Sequence, residues 1–302
     1  MKKGFSLIEI LILSFIGINI LILIIGVTSN SREFTRTMGC VNNIKSIVQA
    51  IENYQIDFKE TPITLRSLMP TYIQNSNIFH CPSDREKRDS YSNYYIGRVF
   101  AEEDANKVFL VCPRHFGGRR FVLGYLSYAV EIGKTKPVKW SGLNAEFGKT
   151  YSGGTLNFED GTKVEIYKGK VGVLGSFTDA EGKIYSLIYV PEGENTSVGV
   201  DHKTNSKFEV ITSAVIASVE GTKFNVVNTY FIDKGIPIDR TSISVFEGSV
   251  EVIERNQNRR EQVQAKEGIT IETRTYAEKN KGVPRKPPKV KPYIIKNSVN
   301  NS

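Results

Sequence analysis

The chain opens with Met1-Lys2-Lys3-Gly4-Phe5-Ser6-Leu7-Ile8-Glu9-Ile10 and an apolar run that continues to Val27, and Glu9 is the one charged residue between Phe5 and Val27. As a helix, this segment would be about 34 Å long at about 1.5 Å per residue, enough to cross a hydrocarbon core of about 30 Å. The pattern predicts a transmembrane helix over residues 5–27. A carboxylate near bilayer depth costs about 2.5–3.5 kcal/mol, so Glu9 is expected to meet a positive charge on a neighbouring chain.

The segment Lys2–Glu9 resembles the N-terminal signal of type IV pilins and type II secretion pseudopilins. That resemblance implies cleavage after Gly4 by a prepilin peptidase, N-methylation of Phe5, and assembly in which Glu9 pairs with the Phe5 α-amine of another subunit. A secretory signal would have a shorter apolar core followed by a small-residue cleavage site. A plain signal anchor explains the length and the lysines but not the conjunction of Gly4, Phe5 and Glu9.

The two lysines before the apolar run predict a cytoplasmic N-terminus. We therefore expect a single-pass protein of the inner membrane, with the bulk of the chain periplasmic or otherwise extracytoplasmic. The expected partners are the prepilin peptidase/methylase, other pilin or pseudopilin subunits that contact the N-terminal helix, and the inner membrane itself.

The net charge of +8 is concentrated at the C-terminus, where residues 279–302 contain seven basic residues and no acidic one. Four of the eleven prolines lie in the same segment. This composition predicts a basic, disordered tail over residues 275–302. A nucleic-acid partner is considered unlikely, with a DNA-binding pilin kept as an alternative that salt-dependent DNA binding by the tail would support.

Beyond the apolar run, residues up to 59 keep an apolar stripe at spacings of three and four, which predicts an amphipathic helix. Residues 60–140 are expected to form a small pilin-type β head. The segments Cys40–Ile44, Phe79–Asp84 and His115–Leu123 resemble the major-pseudopilin heads of type II secretion systems. The chain departs from that pattern at Gly124-Tyr125, where relatives often carry Asp-Gly-His, so no metal role is expected there.

Three cysteines leave at least one of them unpaired. Cys81 and Cys112 each precede a proline within the same head, and we predict a Cys81–Cys112 disulfide, which would stabilise the head by roughly 3–4 kcal/mol. Free thiols and a zinc site with His80 and His115 remain open alternatives, although the adjacent pair His80-Cys81 is an awkward chelate. No metal and no cofactor are expected.

From residue 150 to 274 the sequence is typical of strands, and Asp160-Gly161 between alternating apolar residues predicts a hairpin. Three elements, Gly221-Thr222-Lys223-Phe224, Glu247-Gly248-Ser249-Val250 and Ala265-Lys266-Glu267-Gly268, resemble the FecR domain, a periplasmic β domain known from iron-transport signalling. The resemblance implies a β sandwich or roll that binds a protein or an envelope polymer. An unrelated β sandwich is the alternative.

No phosphate-binding loop, metalloprotease motif or nucleophile elbow occurs in the sequence, so no enzyme is expected. The predicted fold class is α+β: a leader peptide (1–4), a long helix (5–59), a pilin-type head (60–140) and an all-β FecR-like domain (150–274). The predicted function is a pseudopilin or minor pilin of a type II secretion pseudopilus or type IV pilus-like fibre. FecR-type envelope signalling, or an anchored envelope-binding protein, is the alternative function.

Overall fold

The computed structural model describes residues 7–58, 61–62, 65–84, 91, 96, 107–115, 119–125, 127, 129–179, 181–203, 205–255, 259–274 and 295–298. The predicted processing residues Gly4 and Phe5, the leader peptide 1–4 and most of the basic tail lie outside this set. Within the tail, Ile295–Ser298 forms a strand, whereas the sequence predicted that the whole tail is disordered.

A helix, α1 (Leu7–Phe58), begins the described chain. Large apolar side chains from Leu7 to Ile22 are exposed. Farther along, the amphipathic stripe predicted from spacing is confirmed, because the residues recurring every three or four positions are buried: Cys40, Ile44, Ile47, Val48, Ile51 and Tyr54.

Within the described residues, no helix combines the length and the apolar composition needed to span a membrane. The predicted transmembrane segment 5–27 and the single-pass inner-membrane location are therefore wrong on this finding. The assignment to prepilin-type proteins of pilus and type II secretion systems is wrong on the same finding. Cleavage after Gly4, methylation of Phe5 and assembly through Glu9, which that resemblance implied, are not tested by the described residues.

Two 3-10 helices, Leu65–Leu68 and Ser76–Phe79, follow α1. A three-stranded antiparallel sheet comes next, formed in order by β1 (Val108–His115), β2 (Arg120–Tyr125) and β3 (Val130–Lys134).

The remaining strands form two larger sheets. In chain order they are β4 (Val138–Trp140), β5 (Leu143–Asn144), β6 (Thr150–Ser152), β7 (Thr155–Phe158), β8 (Lys163–Lys168), β9 (Lys170–Thr178), β10 (Ile184–Tyr189), β11 (Thr196–His202), β12 (Lys207–Ile211), β13 (Val215–Val219), β14 (Thr222–Asp233), β15 (Ile236–Glu247), β16 (Ser249–Glu254), β17 (Arg260–Gln264), β18 (Glu267–Arg274) and β19 (Ile295–Ser298). A seven-stranded sheet has the order β17-β16-β13-β12-β10-β9-β6, and a nine-stranded sheet has the order β19-β18-β15-β14-β11-β8-β7-β4-β5.

The described elements stack as four layers: α1, the three-stranded sheet, the seven-stranded sheet and the nine-stranded sheet. Alternation along β2 produces this stacking, because successive side chains of a strand point to opposite faces. Val122 packs toward α1, whereas Phe121 and Leu123 pack toward the seven-stranded sheet. A third apolar core fills the space between the two large sheets.

The predicted fold class, an α+β pilin-type head followed by an appended β domain, is therefore wrong for the described chain, which is mostly β sheet. Its three-stranded sheet has apolar side chains on both faces, so it needs cover on both sides. One face is covered by the helix and the other by the seven-stranded sheet.

The predicted hairpin at Asp160-Gly161 is confirmed by the antiparallel pairing of β7 with β8. The FecR-like elements form corners where the chain passes between the two large sheets. Gly221 lies between β13 and β14, Gly248 between β15 and β16, and Lys266 between β17 and β18; all three have positive φ. At Gly248 a Cβ would lie 2.7 Å from the Gly221 carbonyl oxygen, so the first two corners contact each other.

Candidate metal centre and polar groove

The structure brings Cys81 and Cys112 together, and it adds two side chains that are distant in sequence, Cys40 and His115. All four residues are buried, and one donor atom from each lies within 4.8 Å of the other three. All three cysteines are free, so the predicted Cys81–Cys112 disulfide is not formed in this structure. The arrangement is a cluster of four converging donors instead of a bonded pair.

A β-bulge puts Cys112 and His115 on the same side of β1. Cys112 is opposite Val122 and His115 is opposite Arg120, so two residues of β1 face the single residue Phe121 of β2. Residues three apart on a regular strand point to opposite faces, and the extra residue of a bulge restores a common face. Both side chains therefore point toward the helix layer.

Cys40 lies on α1, and residues beside it on the helix let the segment around Cys81 pack closely against α1. Gly39 faces Pro82 so closely that a Cβ on Gly39 would lie 3.3 Å from the proline ring. The amide of Asn43 donates to the backbone carbonyl of His80 over 3.1 Å. These contacts fix the Cys81 turn against the face of the helix that presents Cys40.

The imidazole of His115 has two different environments. Its Nε2 faces sulfur, 3.5 Å from Sγ of Cys81 and 3.6 Å from Sγ of Cys112. Its Nδ1 faces oxygen, 3.3 Å from a carboxylate oxygen of Glu33, 3.1 Å from the Ser83 hydroxyl and 3.2 Å from the Thr37 hydroxyl. A proton on Nδ1 can be donated to Glu33, which leaves the lone pair of Nε2 directed at the sulfurs.

The three thiols differ in acidity. Burial raises the pKa of Cys40 and of Cys112 well above the ordinary value. The pKa of Cys81 is strongly lowered, chiefly by hydrogen bonds from Cys112 and Cys40. Tyr91, whose pKa is raised mainly by burial, donates its hydroxyl to Sγ of Cys40 over 3.0 Å. Hydrogen bonds therefore favour the thiolate at Cys81, whereas burial disfavours it at Cys40 and Cys112.

From the sequence, Cys81 and Cys112 are predicted as a pair and His115 as an alternative metal ligand. Cys40 is the cysteine left unpaired by that prediction, and His80 takes its place in the alternative zinc site. The signal that was missed is the helical spacing of Glu33, Thr37 and Cys40, which puts all three on the helix face toward His115. Three thiols and one imidazole form a donor set typical of structural zinc sites.

A second feature is a polar groove on the seven-stranded sheet, with a volume of about 520 Å³. It crosses five adjacent strands, β10, β12, β13, β16 and β17, and includes Lys107 from the chain leading into β1. Its lining residues are Lys107, Glu181, Tyr185, Lys207, Glu209, Ser218, Val219, Glu220, Ser249, Glu251 and Gln262. The groove thus reaches the corners that carry the FecR-like elements.

Paired charges line much of this groove. Lys107 lies 2.9 Å from Glu251, and Lys207 lies 3.0 Å from Glu181. The Tyr185 hydroxyl donates to the buried Glu209 carboxylate over 2.5 Å. Glu220, at the β13–β14 corner, is exposed. Four glutamates against two lysines give the lining an acidic balance.

Comparisons with known proteins identify no family. No family model matches the chain, and no curated protein matches it. Two crystal structures of a protein from Parabacteroides distasonis ATCC 8503, provisionally described as an anti-sigma factor, share 18% and 16% sequence identity with this chain. Each match covers 50% of this chain and 59% of the other, with TM-scores of 0.35 and 0.32. Likeness at this level carries no argument about function.

Proposed function

We propose that the protein is a non-catalytic binding protein of the FecR type, whose β sandwich holds an extended segment of another protein in the polar groove. This corresponds to the envelope-signalling alternative, in which binding by such a domain is passed on to a regulatory partner. The observation that carries the proposal is the groove of about 520 Å³, which runs across five neighbouring strands beside the FecR-like corners.

The charges of the groove favour a basic ligand segment. The lining carries Glu181, Glu209, Glu220 and Glu251 against Lys107 and Lys207. Complementary charge raises association rates and suppresses wrong partners more than it raises affinity. A ligand segment with one or two lysines or arginines that lies across the strands would contact the exposed Glu220. Its other positive charges would lie near the groove's remaining glutamates, two of which are already paired with lysines.

The same lining supports binding in preference to catalysis. None of the described residues that line the groove is a histidine or a cysteine. The hydroxyl of Tyr185 is held by Glu209, and the carboxylate of Glu251 is held by Lys107 and by Arg260, 3.1 Å away. These pairs restrain the side chains that a reaction would have to move.

Photo-cross-linking tests the proposal. A photoreactive amino acid replaces the exposed Gln262 in the groove or, as a control, Tyr167 on the nine-stranded sheet, and both proteins are irradiated in cells of the native host. We expect a discrete protein adduct from position 262 that is absent from position 167. Glu220→Lys should remove the adduct, whereas the matched charge reversal Asp233→Lys, at the far end of β14, should not. An adduct that survives Glu220→Lys, or none at position 262, contradicts the proposal.

A further inference from the structure

We propose that Cys40, Cys81, Cys112 and His115 bind one zinc ion that fastens α1 to the three-stranded sheet. This inference is independent of the ligand in the polar groove. It rests on four buried donor atoms that all lie within 4.8 Å of one another. The donors come from three separate segments, namely the helix, the turn after the second 3-10 helix and strand β1.

The distances fit a tetrahedral ion. Zinc binds thiolate sulfur at about 2.3 Å and imidazole nitrogen at about 2.0–2.1 Å, so the sulfur–nitrogen edges of the tetrahedron are about 3.6 Å long. The structure has Nε2 of His115 at 3.5 Å from Sγ of Cys81 and at 3.6 Å from Sγ of Cys112. Both sulfur–nitrogen distances therefore already match the edges of such a tetrahedron.

The surroundings supply the hydrogen bonds that metal ligands need. A ligating histidine usually donates its other ring nitrogen to a carboxylate or carbonyl, which fixes the tautomer. Nδ1 of His115 lies 3.3 Å from Glu33, and the same carboxylate oxygen accepts from the Ser83 hydroxyl over 2.6 Å. On the sulfur side, the backbone N–H of Ser83 donates to Cys81 and the Tyr91 hydroxyl donates to Cys40.

The chemistry and number of the ligands indicate which metal binds and whether its role is structural or catalytic. Thiolates do not suit magnesium or calcium, which take oxygen ligands, whereas Cys₃His sites with four protein ligands are typical of structural zinc. His115 and Cys112 are fully buried, so the geometry leaves the fourth position to protein and not to water. A closed site of this kind contributes to folding instead of catalysis.

Metal analysis of the purified full chain provides the test. We expect one zinc per chain, three thiols that alkylate only after a chelator is added, and, on replacement by Co²⁺, the intense visible absorption of a tetrahedral thiolate complex. The variant Cys81→Ser should lose stoichiometric zinc. The control His80→Gln should retain it, because His80 neighbours the cluster in sequence without belonging to its donor set.

A variant that can still bind metal distinguishes loss of the metal site from unfolding of the protein. His115→Cys offers a Cys₄ site, so it should still bind one Co²⁺ per chain with a stronger sulfur-to-cobalt charge-transfer band. Two results would overturn the inference. One is a metal-free protein whose mass is lower by two hydrogens because Cys81 and Cys112 are bonded, and the other is folded, metal-free protein with three reactive thiols.

Discussion

The carboxylate of Glu33 gives the sharpest quantitative prediction about the metal centre. Glu33→Ala removes the charged acceptor that lies 3.3 Å from Nδ1 of His115. Loss of such an acceptor typically lowers metal affinity 10–100-fold, which is about 1.4–2.8 kcal/mol. The hydroxyls of Ser83 and Thr37 remain within 3.1 and 3.2 Å of the same nitrogen and can accept its proton. We therefore expect the effect to be near the lower limit, about tenfold.

The assay is competition for zinc against a chromophoric chelator, measured across a range of pH. Glu33→Gln keeps an acceptor at the same place and should recover most of the affinity. Glu52→Ala on the same helix is the matched control and should change nothing, since it removes a carboxylate far along α1 from His115. Equal affinities for Glu33→Ala and Glu52→Ala would refute the assigned role of Glu33 in orienting His115.

Three further predictions concern the fold and its metal. Gly248→Ala should lower the free energy of unfolding, measured by denaturant titration, more than Gly182→Ala does. Both glycines have positive φ, but only at Gly248 would a Cβ lie close to backbone, 2.7 Å from the Gly221 carbonyl oxygen. Equal losses would contradict the packing of the corners. Gly172→Ala should lower the free energy of unfolding by about 1–3 kcal/mol, since a Cβ would overlap the Tyr189 ring. The double variant with Tyr189→Ala should lose less stability than the sum of the two single losses. Strict additivity would contradict this contact. Acidification should release zinc and lower the melting temperature, because thiolate and imidazole donors bind metal only when they are deprotonated; metal-free protein should lack this step.

Local features of the fold could be predicted from the sequence because they depend on short spacings. The stripe of α1 appears as apolar residues three and four apart, and the β7–β8 hairpin appears as alternation around Asp160-Gly161. The FecR-like elements could also be located, and the structure gives their physical basis: they are corners that need positive φ or a close approach of two backbones.

Longer-range features were not readable from spacing. The apolar N-terminal run was interpreted as a membrane anchor, an inference that the described helix does not support. The burial of β2 on both faces depends on how the sheets stack, which alternation alone does not specify. Cys40 lies 41 residues before Cys81, and only the packing of α1 brings the two together. The bulge that aligns Cys112 with His115 depends on strand pairing.

The zinc site is tested most directly by anomalous diffraction at the zinc absorption edge from crystals of the full chain. We predict one strong peak inside the cluster, at about 2.3 Å from Sγ of Cys40, Cys81 and Cys112 and about 2.0–2.1 Å from Nε2 of His115. The absence of a peak, together with continuous density joining Sγ of Cys81 to Sγ of Cys112, would contradict it.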